Sequence, residues 1–179
     1  MKLYDYVINM LLLLFVASSL TTCSSTRLTP KYKDVDPGLE PYTLNYIKLA
    51  KDHKITFYNK VTMGFNDLPY PIIGRCYYGI GFREVDIDKN FWKNASEITR
   101  MALIDHELTH CYCERSHDFA KDKEYEDPNK AWKIGKPTEG FFPDGCPLSL
   151  MYPQITDDGC TMFHYQEYMD EMFQRCAPF

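Results

Sequence analysis

His106-Glu107-Leu108-Thr109-His110 is the feature that most restricts what this chain can be. In a helix, residues four apart lie on one face, so His106 and His110 present two imidazoles side by side. Two neutral imidazoles so placed can hold one Zn²⁺ at about 2.0–2.1 Å from each nitrogen. Glu107 leaves the helix about 100° round from His106. It therefore stands beside such an ion rather than on it, where a general base for a metal-activated water belongs. The sequence around the motif predicts a helix over about 95–112. Asn94-Ala95-Ser96-Glu97 reads as a capping box, and Ile98, Met101, Ala102 and Ile104 carry an apolar stripe towards His106.

A catalytic zinc ordinarily takes three protein ligands and leaves a fourth position for water. His117 lies seven residues beyond His110, and a chain that turns near Cys113 can bring it back. Cys113 is the rival third ligand, because it lies seven residues after His106 on the same helical face. If the protein is exported, a disulfide is the alternative fate of Cys113.

These residues resemble the metzincin zinc metallopeptidases, whose helix carries His-Glu-x-x-His-x-x-Gly-x-x-His. Ser149-Leu150-Met151-Tyr152-Pro153 is similar to the metzincin Met-turn, with Met151 as the supporting residue beneath the site. His106-Glu107-Leu108-Thr109-His110-Cys111 and Arg115-Ser116-His117 look closer still to small exported metzincin-like proteins. Cys113 occupies the place of the family's Gly, and His117 comes one residue later than the family's third His. The resemblance implies an α+β fold in which a small mixed sheet packs on the active-site helix, followed by a C-terminal helix. It implies a zinc endopeptidase with one Zn²⁺ per chain on His106, His110 and His117, Glu107 as general base and a peptide or protein substrate. It also implies that a strand such as 83–88 borders the cleft and receives extended substrate by strand addition. A Tyr following the Met, here Tyr152, approaches the metal in some members.

The rest of the chain fits one exported domain. Its 179 residues suffice for one sizeable core. The net charge of −5 and the lack of a basic patch argue against nucleic acid as a partner. Residues 1–22 have a signal-peptide layout: a weakly positive start at Lys2, an apolar block from Met10 to Val16, then small residues. Leu20-Thr21-Thr22-Cys23 resembles a lipoprotein cleavage box, which would place a lipid on Cys23 and attach the protein to a membrane in the cell envelope. Plain cleavage with secretion, and an uncleaved anchor, are the alternatives. Residues 23–41 lack a hydrophobic period and read as a flexible tether. The domain proper, 42–179, opens with a helix over Tyr42–His53 with Thr43 as its cap. Strands follow at Ile55–Tyr58, Ile72–Ile73, Cys76–Ile80 and Arg83–Asp88, the last with one wet face. Asp118 to Asp144 reads as a long loop placed to shape the substrate pocket or to lie in solvent. Thr161–Cys176 has helical spacing that core packing explains.

Seven cysteines leave six if Cys23 carries lipid, enough for three disulfides in an oxidising compartment. Six cysteines allow fifteen pairings, which sequence alone does not resolve. Cys111 and Cys113 reach different partners, pinning the helix end to Cys146 or Cys160 or to Cys76. A second metal site on Cys111-x-Cys113 is the rival reading. Three function classes follow: a zinc peptidase, a catalytically silent envelope scaffold that keeps the zinc fold, and a disulfide-stapled binding module without metal.

Overall fold

The computed structural model describes residues 25–26, 29–79, 81–115, 117, 141–152 and 154–176. The expected signal peptide, Cys23 and most of the 118–144 loop lie outside the described residues.

The fold is α+β. Its sheet has the order β1-β3-β4-β2, where β1 is the two-residue Ser25–Thr26, β2 Val61–Asn66, β3 Gly74–Gly79 and β4 Phe82–Asp88. β3 and β4 form an antiparallel hairpin closed through Gly81, which adopts φ +80°. β2 pairs with β4 in parallel, and β1 pairs in parallel with Tyr77 and Tyr78 of β3. The helices are α1 (Glu40–Asp52), the short α2 (Lys89–Asn94), α3 (Glu97–Cys113) and α4 (Asp158–Gln174). α3 lies against β3 and β4 on one side and against α1 and α4 on the other.

Several elements differ from expectation for identifiable reasons. Asn94 does not cap the long helix, because it ends α2. Ser96 takes that role, its Oγ accepting the Thr99 N–H at 3.0 Å. The hydroxyls of Ser96 and Thr99 both donate to Asp158, at 2.7 and 2.6 Å, which ties the start of α3 to the start of α4. Thr43 is not a cap either: α1 starts three residues earlier, with Pro41 in its first turn. The buried Thr43 hydroxyl instead donates back to the Leu39 carbonyl at 3.0 Å. Ile55–Tyr58 forms no strand. The Ile55 N–H closes the end of α1 on the Ala50 carbonyl at 2.8 Å. Phe57 stacks on Tyr112 with ring centroids 4.0 Å apart, so aromatic packing on α3 takes this segment away from the sheet.

The polar residues of β4 do not form a wet face. Glu84, Asp86 and Asp88 are all buried. Glu84 accepts the N–H groups of Lys31 and Tyr32, Asp86 accepts from Asn66 at 3.0 Å, and Asp88 accepts from Leu68 and caps α2 at Phe91. The chain over 31–36, part of the stretch expected as a tether, is thereby laid on the sheet. Asp36 N–H donates to the Met63 carbonyl at 2.9 Å, and the Tyr32 ring occupies the space that a side chain at Gly64 would need. A hydrophobic period could not reveal this attachment, because backbone hydrogen bonds to buried carboxylates make it.

Three disulfides link Cys76 to Cys111, Cys113 to Cys176 and Cys146 to Cys160. Cys111 and Cys113 do reach different partners. The first ties α3 to β3. The second joins the end of α3 to Cys176, just beyond α4, which was not among the expected partners. All four cysteines nearest the histidines are consumed, so Cys113 offers no thiolate to a metal and no Cys111-x-Cys113 site exists. Three disulfides fit an extracellular or exported protein. No helix among the described residues is long and apolar enough to cross a membrane.

Candidate metal centre

From Ala102 to Cys113 every residue of α3 is buried, so His106, Glu107 and His110 sit inside the protein rather than on a solvated helix face. The helix ends where Glu114 turns into the left-handed region at φ 51°. The Glu114 carboxylate meets Arg83 of β4 at 2.7 Å, which fixes the turn. The reversal carries Arg115 back beneath His110 and returns His117 to the helix.

The three imidazoles converge. Nε2 of His106 lies 3.0 Å from Nε2 of His110 and 3.1 Å from Nε2 of His117, and the last two are 3.2 Å apart. Nδ1–H of His106 donates to the Leu150 carbonyl, and Nδ1–H of His110 donates to the Arg115 carbonyl. A carbonyl can only accept, so both rings carry a proton on Nδ1, and in a neutral ring Nε2 is then left with a lone pair. Burial, with His110 alongside, holds His106 well below the usual histidine range, so this ring is neutral. The neutral His106 therefore turns a lone pair towards the other two imidazole nitrogens and can donate to neither. A cation between them resolves the conflict. Two nitrogens about 2.0–2.1 Å from a tetrahedral centre stand about 3.3–3.4 Å apart, within a few tenths of an ångström of the observed spacing. The donor set thus fits a divalent metal ion.

Glu107 lies alongside. It is 4% exposed, and its Oε1 would collide with any Cβ at Gly74, which would fall only 2.4 Å away. The bare backbone of β3 at Gly74 is what lets the carboxylate fit between helix and sheet. Burial pushes the carboxyl up to about 8, opposed by the charge of Arg75 and the N–H of Cys76. Oε2 has no hydrogen-bond partner among the described residues. A buried carboxyl with one uncommitted oxygen beside a cluster of lone pairs can exchange a proton near neutral pH.

Met151 is fully buried in a turn in which Tyr152 N–H donates to the Ser149 carbonyl at 3.2 Å. Tyr152 is half-buried and packs its ring against Phe141, with centroids 5.6 Å apart. A second group of donors, Asp144, Cys146 and His164, is excluded as a metal site by the Cys146–Cys160 disulfide. Sequence reasoning passed over several contributors: Gly74, Arg115, Ser149 and Glu171. A Glu between Met169 and Met172 in an otherwise apolar helix face was the available signal for the last.

The profile of a family described as "Putative phage metallopeptidase" matches residues 74–142, and no curated protein or solved structure matches the chain. That stretch begins at the glycine that admits Glu107 and takes in β3, β4, the whole of α3 and His117. Over this region the chain is metallopeptidase-like, a likeness that supports a hydrolase acting on peptide or protein.

Proposed function

We propose that the protein is an exported zinc endopeptidase in which His106, His110 and His117 hold one Zn²⁺ and Glu107 is the general base. The single observation that carries this reading is the approach of three Nε2 atoms to within 3.2 Å of one another, with His106 unable to donate a hydrogen bond. Three imidazoles with an open fourth position are a zinc donor set. Zn²⁺ held there acidifies water towards neutrality and polarises a peptide carbonyl.

The chain's own residues supply the rest. The Leu150 and Arg115 carbonyls keep the proton on Nδ1 of His106 and His110, leaving Nε2 free to bind. Glu107 Oε2 takes the proton from the attacking water, and the same carboxyl delivers it to the leaving amine. The Cys76 N–H holds the other oxygen, with the charge of Arg75 nearby, so the carboxyl keeps one orientation through both transfers. The endopeptidase assignment and the supporting role of Met151 rest on the metzincin resemblance. Six of the seven cysteines are paired, which leaves Cys23 for lipid attachment after removal of residues 1–22.

The test is metal analysis with cleavage of quenched fluorescent peptides. One zinc per chain is expected, with cleavage abolished by a chelator and restored by Zn²⁺. Glu107→Gln keeps the metal and lowers turnover by about 10²–10⁴-fold. Wild-type turnover in that variant overturns the mechanism. Metal binding without cleavage of any peptide supports the silent scaffold instead.

A further inference from the structure

We infer that Glu171, on α4, is a positioning residue for the metal centre: one carboxylate sets both peptide carbonyls that orient His106 and His110. The inference rests on the three histidines binding a metal, as proposed above.

Glu171 is 1% exposed. Its Oε1 accepts from Arg115 Nη2 at 2.7 Å and from Arg175 Nη1 at 3.2 Å. Its Oε2 accepts from Arg115 Nη1 at 3.1 Å and from the Ser149 hydroxyl at 2.8 Å. Two branches lead from it to the imidazoles. In the first, the two-pronged grip on Arg115 fixes the residue whose carbonyl receives His110 Nδ1–H. In the second, Ser149 Oγ accepts the Met151 N–H at 3.0 Å, and Leu150, held between them, gives its carbonyl to His106 Nδ1–H. Arg115 follows the end of α3, and Ser149 lies more than thirty residues further on. Glu171 is the point at which these two distant segments are brought into one register. A buried ion pair by itself is weak ground for a stabilising role. Here two of the carboxylate's three partners, Arg115 and Ser149, belong to the backbone segments that orient the histidines. Such outer partners ordinarily contribute about 10–100-fold to metal affinity.

The test uses the whole purified protein, with Zn²⁺ affinity measured by competition against a chromophoric chelator and the visible spectrum of the Co²⁺ form. Glu171→Gln keeps the side-chain shape and removes the charge. It weakens Zn²⁺ binding about 10–100-fold and shifts the Co²⁺ bands. Ser149→Ala leaves both Glu171–Arg115 hydrogen bonds in place, removes only a long 3.5 Å contact from Arg115, and weakens binding several-fold, chiefly through the His106 branch. Val61→Ala, in the core under β2, lowers the urea midpoint of the metal-free protein and leaves Zn²⁺ affinity and the Co²⁺ bands unmoved. Wild-type affinity and bands in Glu171→Gln overturn the inference, as does equal weakening by Val61→Ala. If Glu171→Gln does not fold, wild-type affinity and bands in Ser149→Ala overturn it. Failure of the unsubstituted protein to bind either ion removes the metal-centre reading itself, and the positioning role with it.

Discussion

Gly74→Ala tests the placement of the general base without touching any ligand. A Cβ at this position would lie 2.4 Å from Glu107 Oε1 and 2.7 Å from both Cδ and Cγ. Ordinary contact needs 3.4 Å, so Glu107 or β3 must give by 0.7–1.0 Å. The base cannot retreat sideways, because every residue of α3 around it is buried. Displacing a reacting group by about 1 Å costs on the order of 10²-fold in rate, or about 2.7 kcal/mol of transition-state stabilisation. The overpacking itself costs about 1–3 kcal/mol of stability, so assays belong well below the melting temperature. The nearest atoms to the new methyl all belong to Glu107, so zinc content stays at that of the unsubstituted protein. Steady-state cleavage of one fluorogenic peptide, with zinc measured on the same sample, reads both quantities. Turnover within threefold of the unsubstituted enzyme, with zinc bound, would refute the claim that β3 fixes the working position of Glu107.

Further consequences can be checked at the bench. Replacing Cys113 and Cys176 together by Ala opens a loop of 63 residues and lowers stability by about 4 kcal/mol, measured by urea titration of the oxidised proteins. A change below about 1 kcal/mol would show that packing at the end of α3 outweighs the crosslink. The half-buried His53 loses hydration, which opposes its charged form, but Asp170 at 2.8 Å and the Leu49 carbonyl prevail and raise its pKa. Its contribution is therefore complete below about pH 6.5 and is lost as pH rises through the higher folded value. Because Asp170 is 46% exposed, the effect stays under about 1 kcal/mol. His53→Gln should flatten the fall in urea midpoint between pH 6 and 8.5, and parallel profiles for the two proteins would contradict this. Gly64→Ala places a methyl 2.3 Å from the Tyr32 ring and should free residues 31–36 for proteolysis at a rate the unsubstituted protein does not show.

The parts of this protein that were legible in its sequence depend on local spacing. Histidines four apart share a helix face whatever surrounds them. The C-terminal helix followed from its period, and the α+β class from the resemblance carried by the histidine motif. What was illegible depends on partners far along the chain. Alternation in Ile55–Tyr58 is also what an aromatic segment packed on a helix displays, and only Tyr112 decides between them. The carboxylates of β4 looked solvated because their donors, main-chain N–H groups for Glu84 and Asp88 and the distant Asn66 amide for Asp86, leave no signature beside them in the sequence. Cysteine pairing was open among fifteen alternatives until the end of α3 and Cys176 were brought together. Glu171 looked like a flaw in an apolar stripe because its partners, Arg115 and Ser149, lie 56 and 22 residues away.

The three disulfides have a consequence for how such an enzyme survives its own product stream. On the proposed function, substrate is chain that can be drawn out straight, and a second copy of this protein is such a chain wherever it loosens. The crosslinks bind β3, the C-terminal end of the histidine-bearing helix, the segment before α4 and both ends of α4 into one covalent unit. Thermal breathing of one element then cannot pay out slack to a second copy, so the crosslinked elements resist being drawn out one at a time.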